Sequence, residues 1–179
     1  MLFTCLAWPA TPVCPLHLRH RFYSQSISNS IEVADVDNDG ANDIILSGYD
    51  STRFGVFLDV IKTSSTGSLQ QGFSTNFVTY SDTIAEYLGG IGNIKLADVN
   101  LDGSIDIYLN GSVMSKLMLN SSSGNFSQSN WLQNMFVTYS NGDWGDVNMD
   151  GKPDLFLMGV NEFTDQILNE LFINTGSYL

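Results

Sequence analysis

Basic residues are scarce in this chain: 7 lysines and arginines stand against 19 aspartates and glutamates. Without a basic patch there is no electrostatic footprint for nucleic acid. Histidine is scarcer still. His17 and His20 both lie near the N-terminus, so no Ser/His/Asp or Cys/His set is visible in the rest of the chain. Glu32, Asp50, Asp59, Glu86, Glu162 and Glu170 fall in no catalytic motif and read as surface charge. The chain is therefore expected not to be an enzyme. Cys5 and Cys14 cannot supply a disulfide framework, though a bond between the two stays open. No apolar run reaches the ~18 residues of a spanning helix.

Residues 1–22 fit nothing that follows. They are rich in Pro, His, Arg and Leu, whereas the remainder is Asn, Ser, Asp and Gly among β-formers. The short apolar stretch Leu2 to Trp8 lacks a basic region before it, so it makes a poor signal peptide. The segment reads as a signal remnant or a gene-model artefact. Residues 23–179 form the domain proper, long enough for one sizeable core.

What is present is a nine-residue pattern written three times, over residues 35–43, 98–106 and 146–154. Each copy offers oxygen side chains at positions 1, 3, 5 and 9 and glycine at position 6. The candidate metal ligands are Asp35, Asp37, Asp39, the Ala41 carbonyl and Asp43 in the first loop. In the second they are Asp98, Asn100, Asp102, the Ser104 carbonyl and Asp106. In the third they are Asp146, Asn148, Asp150, the Lys152 carbonyl and Asp154. Ca²⁺ takes six to eight oxygen ligands in flexible geometry, and alternate residues of a tight loop converge on one ion. Glycine permits the positive φ that turns the chain back. Up to three ions are expected.

An EF-hand would require a bidentate acid at position 12. Here that position holds Leu46, Leu109 and Leu157, inside short β-like runs. The loops therefore join strand to strand. Together they hold ten aspartates, and with those aspartates set aside 9 acidic residues face 7 basic ones. The net charge of −12 is thus concentrated where a cation would sit. Loop one, with four acids, is expected to bind tightest.

The loops begin 63 and then 48 residues apart. Position 2 is Val36, Val99 and Val147. A small residue precedes each loop: Ala34, Ala97, Gly145. An apolar residue stands two before it: Val33, Leu96, Trp144. Second β-rich runs follow at 55–62, 113–120 and 168–174. A Gly-containing turn comes next, and then aromatic-led runs at 73–80 and, after Phe126, 132–139. Each unit reads strand, loop, strand, strand, turn, strand. The predicted fold class is all-β, a β-propeller-type repeat of four-stranded blades with about three blades present.

Ala34-Asp-Val-Asp-Asn-Asp-Gly40 with Asp43-Ile-Ile-Leu46 resembles one half of the FG-GAP/VCBS repeat. Leu117-Met-Leu-Asn-Ser-Ser-Ser-Gly-Asn-Phe126 and Leu171-Phe-Ile-Asn-Thr-Gly176 resemble the other. This family includes the repeats of integrin-alpha-type propellers and of many secreted microbial proteins. The resemblance covers residues 28–179 and favours the VCBS-like branch. It implies a propeller of about seven blades, so this chain would be part of a longer array, a short open array, or half of a six-bladed ring made by two copies. It also implies an extracellular or cell-surface calcium-binding module for protein or glycan binding and adhesion. The alternative is an accessory domain of a larger secreted enzyme whose catalytic part lies outside this chain. Tyr49, Tyr87, Trp131 and Trp144 are candidate contact residues, with Trp144 better read as blade packing. Asn110, Asn120 and Asn125 head glycosylation sequons.

Overall fold

A computed structural model describes residues 26–50, 55–78, 93–111, 114–131, 137–161 and 164–176. The expectations for residues 1–22, including Cys5, Cys14, His17 and His20, and for Tyr87 and the side chain of Tyr49, lie outside the described residues.

The described residues form eleven β-strands and no helix. They make three antiparallel meanders. The first blade is β1 (Ser26–Ala34), β2 (Asp43–Asp50), β3 (Gly55–Thr63) and β4 (Leu69–Val78). The second is β5 (Asn93–Ala97), β6 (Asp106–Gly111), β7 (Met114–Asn120) and β8 (Phe126–Gln128). The third is β9 (Val137–Gly145), β10 (Asp154–Asn161) and β11 (Ile167–Phe172). The architecture is all-β, in a partial propeller-like arrangement. Each nine-residue loop links the first strand of a blade to the second. Its ninth residue is the first residue of that second strand, at Asp43, Asp106 and Asp154.

The expected fourth strand at 132–139 is corrected. Phe126–Gln128 pairs with β7, whereas Val137 onward opens the third blade. The cause is local. The turn at Ser121–Asn125 closes on itself, with the Ser121 N–H donating to the Asn125 carbonyl at 3.0 Å. That brings Phe126 straight back onto the sheet, where its ring meets Phe73 edge-on at 5.3 Å.

The core lies between blades. Period-2 alternation sends one face of each sheet to each neighbour. Ile45, Val56, Leu58 and Val60 of blade one pack on Ile94, Ile107, Leu109 and Met118 of blade two. The opposite face of blade two, with Tyr108 and Leu117, packs on Leu155 of blade three. Burial of each such side chain is worth about 1.5–3 kcal/mol. The first strands line up beside one another. Ile94 N–H donates to the Ser30 hydroxyl at 3.0 Å, and the Asn93 amide donates to the Ser140 carbonyl at 3.2 Å.

Candidate metal centre

The three loops share one hydrogen-bond scheme. The carboxylate at position 1 accepts two backbone N–H groups, from positions 5 and 6. Asp35 accepts from Asp39 (3.1 Å) and Gly40 (2.8 Å). Asp98 accepts from Asp102 and Gly103, and Asp146 from Asp150 and Gly151. Position 3 accepts from the position-5 N–H, and position 5 accepts from the position-7 N–H. This inward curl requires the left-handed region at two places. Gly40, Gly103 and Gly151 have φ of 87°, 86° and 85°, as glycine at position 6 leads one to expect. Asn38, Leu101 and Met149 at position 4 have φ of 59°, 57° and 60°. Sequence reasoning missed position 4, because leucine and methionine carry no turn signal.

The curl brings oxygens together. One oxygen from each of Asp35, Asp37 and Asp39 lies within 4.8 Å of the other two. Loops two and three carry asparagine at position 3. Its amide donates to the position-5 carboxylate, at 2.8 Å from Asn100 to Asp102 and 3.3 Å from Asn148 to Asp150.

Position 9 is placed apart from this group. Each of these aspartates is buried, and both of its oxygens accept backbone N–H groups. Asp43 accepts from Val36 (3.1 Å) and Thr63 (2.8 Å). Asp106 accepts from Val99 (3.0 Å) and Asn120 (2.8 Å). Asp154 accepts from Val147 (3.0 Å) and Asn174 (2.8 Å). The position-9 carboxylate staples its loop to the end of the blade's third strand. Burial pushes the Asp106 carboxyl up from 3.8 to about 6, against the pull of the Asn120 and Val99 N–H groups, with the charges of Asp102 and Asp98 adding to the rise. Asp43 is raised for the same first reason.

Among the described residues, two loops have an ammonium beside a candidate ligand. Lys62 Nζ lies 3.3 Å from Asp37 and donates to the Ser123 carbonyl of the next blade at 2.6 Å. Lys152 Nζ donates to Asp150 at 2.8 Å. That bond is the leading reason the Asp150 carboxyl falls below 3.8. At Asp102 burial pushes up, but bonds from Asn100 and Ser104 outweigh it and the carboxyl ends lowered.

Residues 98–157 match the family model described as an FG-GAP-like repeat. In that stretch the chain is similar to FG-GAP-like repeats. The match opens on Asp98 and ends within β10, so it spans the second loop, strands β6 to β9 and the third loop. Loop one falls outside the match but keeps the hydrogen-bond scheme of the FG-GAP-like loops. No curated protein and no solved structure matches the chain.

A cation fits these loops. Three carboxylates converge in loop one, and loops two and three repeat its hydrogen-bond scheme with an asparagine at position 3. Ca²⁺ held there would neutralise clustered carboxylates; the chain's own part is to preform the curl through the position-1 and position-9 carboxylates.

The other candidate residues sort clearly. Trp144 packs edge-on against Tyr108 at 5.8 Å, as blade packing requires. Trp131 packs on the same cluster. Among the sequons, Asn110 and Asn120 are buried and Asn125 is exposed. The Asn120 amide is taken up by the Val36 carbonyl, so a glycan there is incompatible with this fold.

Proposed function

We propose that this chain is a calcium-stabilised extracellular module for binding proteins or glycans, without catalysis of its own. The observation that carries the reading is the one loop geometry built three times, with the oxygens of Asp35, Asp37 and Asp39 converging in the most acidic copy. At a Kd of about 10⁻⁴ M, about 1 mM calcium stabilises by roughly 1.4 kcal/mol per site. Three sites give about 4 kcal/mol, a large share of a typical ~5–15 kcal/mol. Cytosolic calcium would leave such sites empty and their aspartates uncompensated, which favours an extracellular or cell-surface location. The array is completed by further blades or by a second copy.

A cleft of about 240 Å³ between blades two and three is the candidate contact surface, with Trp131, Phe172, Ile173 and Thr175 in its lining. The deciding experiment is a thermal melt in about 2 mM calcium, in magnesium and in EGTA. A calcium-specific rise supports the reading. A cooperative melt that ignores calcium reduces the loops to turns and removes it. Titration of glycans and extracellular proteins against the chain and Trp131→Ala then tests the contact surface.

A further inference from the structure

Three positions recur on the face that each blade turns toward its successor. They are the loop valine at position 2 and one cross-strand pair. In blade one they are Val36 with the pair Ile45 and Val60; in blade two, Val99 with Tyr108 and Leu117; in blade three, Val147 with Phe156 and Leu171. Exposure divides them sharply. The first set is 0% exposed throughout, and the second is 1%, 0% and 1%. The third is 59%, 44% and 45% exposed. A patch that is core twice is surface the third time.

A polar latch marks each finished joint. The Asn120 amide of blade two donates to the Val36 carbonyl of loop one at 2.7 Å. The Asn174 amide of blade three donates to the Val99 carbonyl of loop two at 2.8 Å. Each asparagine also reaches a carbonyl of its own loop, Ile105 at 3.0 Å and Pro153 at 3.3 Å. The two protons of one amide thus tie a blade to itself and to its predecessor. Val147 is the third valine of this series.

Blade one departs from the rule. Thr63 stands where the other blades have asparagine, since its N–H donates to Asp43 as those of Asn120 and Asn174 do to Asp106 and Asp154. Its hydroxyl has one proton, and that proton goes to the Asn42 carbonyl of its own loop at 2.7 Å. Blade one therefore has nothing at this place to offer a preceding blade, although Ile31 and Val33 on its first strand are exposed.

We infer that the exposed face of blade three, around Val147, Phe156 and Leu171, is the seat of a further blade of this same kind that carries asparagine at the latch position. That blade covers the apolar patch and donates its amide to the Val147 carbonyl. A second copy of this chain fits less well, because it would present Thr63 there. The inference rests on the proposed reading that further blades or a copy complete the array, and it chooses between them.

The test makes the chain its own probe. Thr63→Asn supplies the missing amide on blade one, so that one molecule's first blade can seat on another's third. Self-association is measured by sedimentation in calcium and in EGTA, for the full chain and the variant. The expected result is association at least about tenfold tighter in Thr63→Asn than in the unaltered chain. Adding Phe156→Asp should abolish it. Equal association of both chains would assign the seat to a second copy and overturn the asparagine rule. Association that survives Phe156→Asp would overturn the face. No association by a cooperatively melting Thr63→Asn would overturn the seat itself, and Thr63→Gln repeats the test if the first variant does not fold. Failure of the calcium reading looks different: the melts in calcium and EGTA would coincide whatever the association.

Discussion

The backbone N–H of Asn120 donates to the carboxylate of Asp106 at 2.8 Å, across a separation of 14 residues. The other oxygen of Asp106 holds Val99 N–H at 3.0 Å. One buried aspartate thus pins both the start of its loop and the end of the blade's third strand. Asp106→Asn keeps the shape but replaces one acceptor with a donor, leaving a buried N–H unmet. The expected cost is about 1–3 kcal/mol, read as a lower melting temperature in EGTA. An unchanged EGTA melt would show that the staple carries no stability.

The same burial sets a pH response. Asp106 is raised in the folded chain to about 6, and Asp43 shifts the same way. A raised carboxyl means that the folded state holds the proton more tightly than the unfolded one. Its stabilisation is complete below the ordinary 3.8 and is lost as pH rises through about 6. Asp102 and Asp150 are lowered, so they contribute above 3.8 and weaken only as pH falls below it. The calcium-free melting temperature should therefore rise between about pH 7 and about pH 5. In calcium the trend should flatten or reverse, because protons compete with the cation. A calcium-free melt that falls over that window contradicts the assignment.

Much of this was legible in the chain because the loop is a local device. Ligand spacing, the glycine at position 6 and the apolar runs behind Asp43, Asp106 and Asp154 all lie within a dozen residues. The strands and their antiparallel order followed from them. The double role of position 9 was not legible. Its second partner stands 14 residues on at Asn120 but 20 residues on at Thr63 and Asn174, so no fixed spacing announces it. The latch asparagines reach carbonyls 84 and 75 residues away, beyond any pattern in the chain. The boundary near 132–139 was misplaced because Phe126 opens a strand of only three residues, too short to show alternation.

Lysine placement gives a third prediction. Lys152 Nζ occupies Asp150 in loop three, whereas in loop two the Asn100 amide meets Asp102 at 2.8 Å. Calcium must displace that ammonium or bind against its charge. Lys152→Gln should tighten calcium binding at loop three by a factor of a few, the modest scale of an exposed pair. The Lys152 backbone carbonyl, the candidate position-7 ligand, is retained. Calorimetric titration separates the outcomes, and unchanged or weaker binding would mean that the lysine does not compete for Asp150.

Position 4 of each loop offers a route to stabilise the fold without touching a ligand. Leu101 and Met149 hold φ near 60° with no side-chain reason to do so, and Met149 is 89% exposed. Loop one already carries Asn38 at that place, and asparagine tolerates the left-handed region where a larger side chain meets the backbone. Met149→Asn should gain up to about 1 kcal/mol, or roughly 2–4 °C in a chain of this size. Met149→Ile should lose stability, since a branched Cβ is worst in that conformation. Calcium affinity should stay the same in both, because position 4 donates no ligand. Equal melts for the asparagine and isoleucine variants would show that the left-handed turn at position 4 relaxes freely in solution.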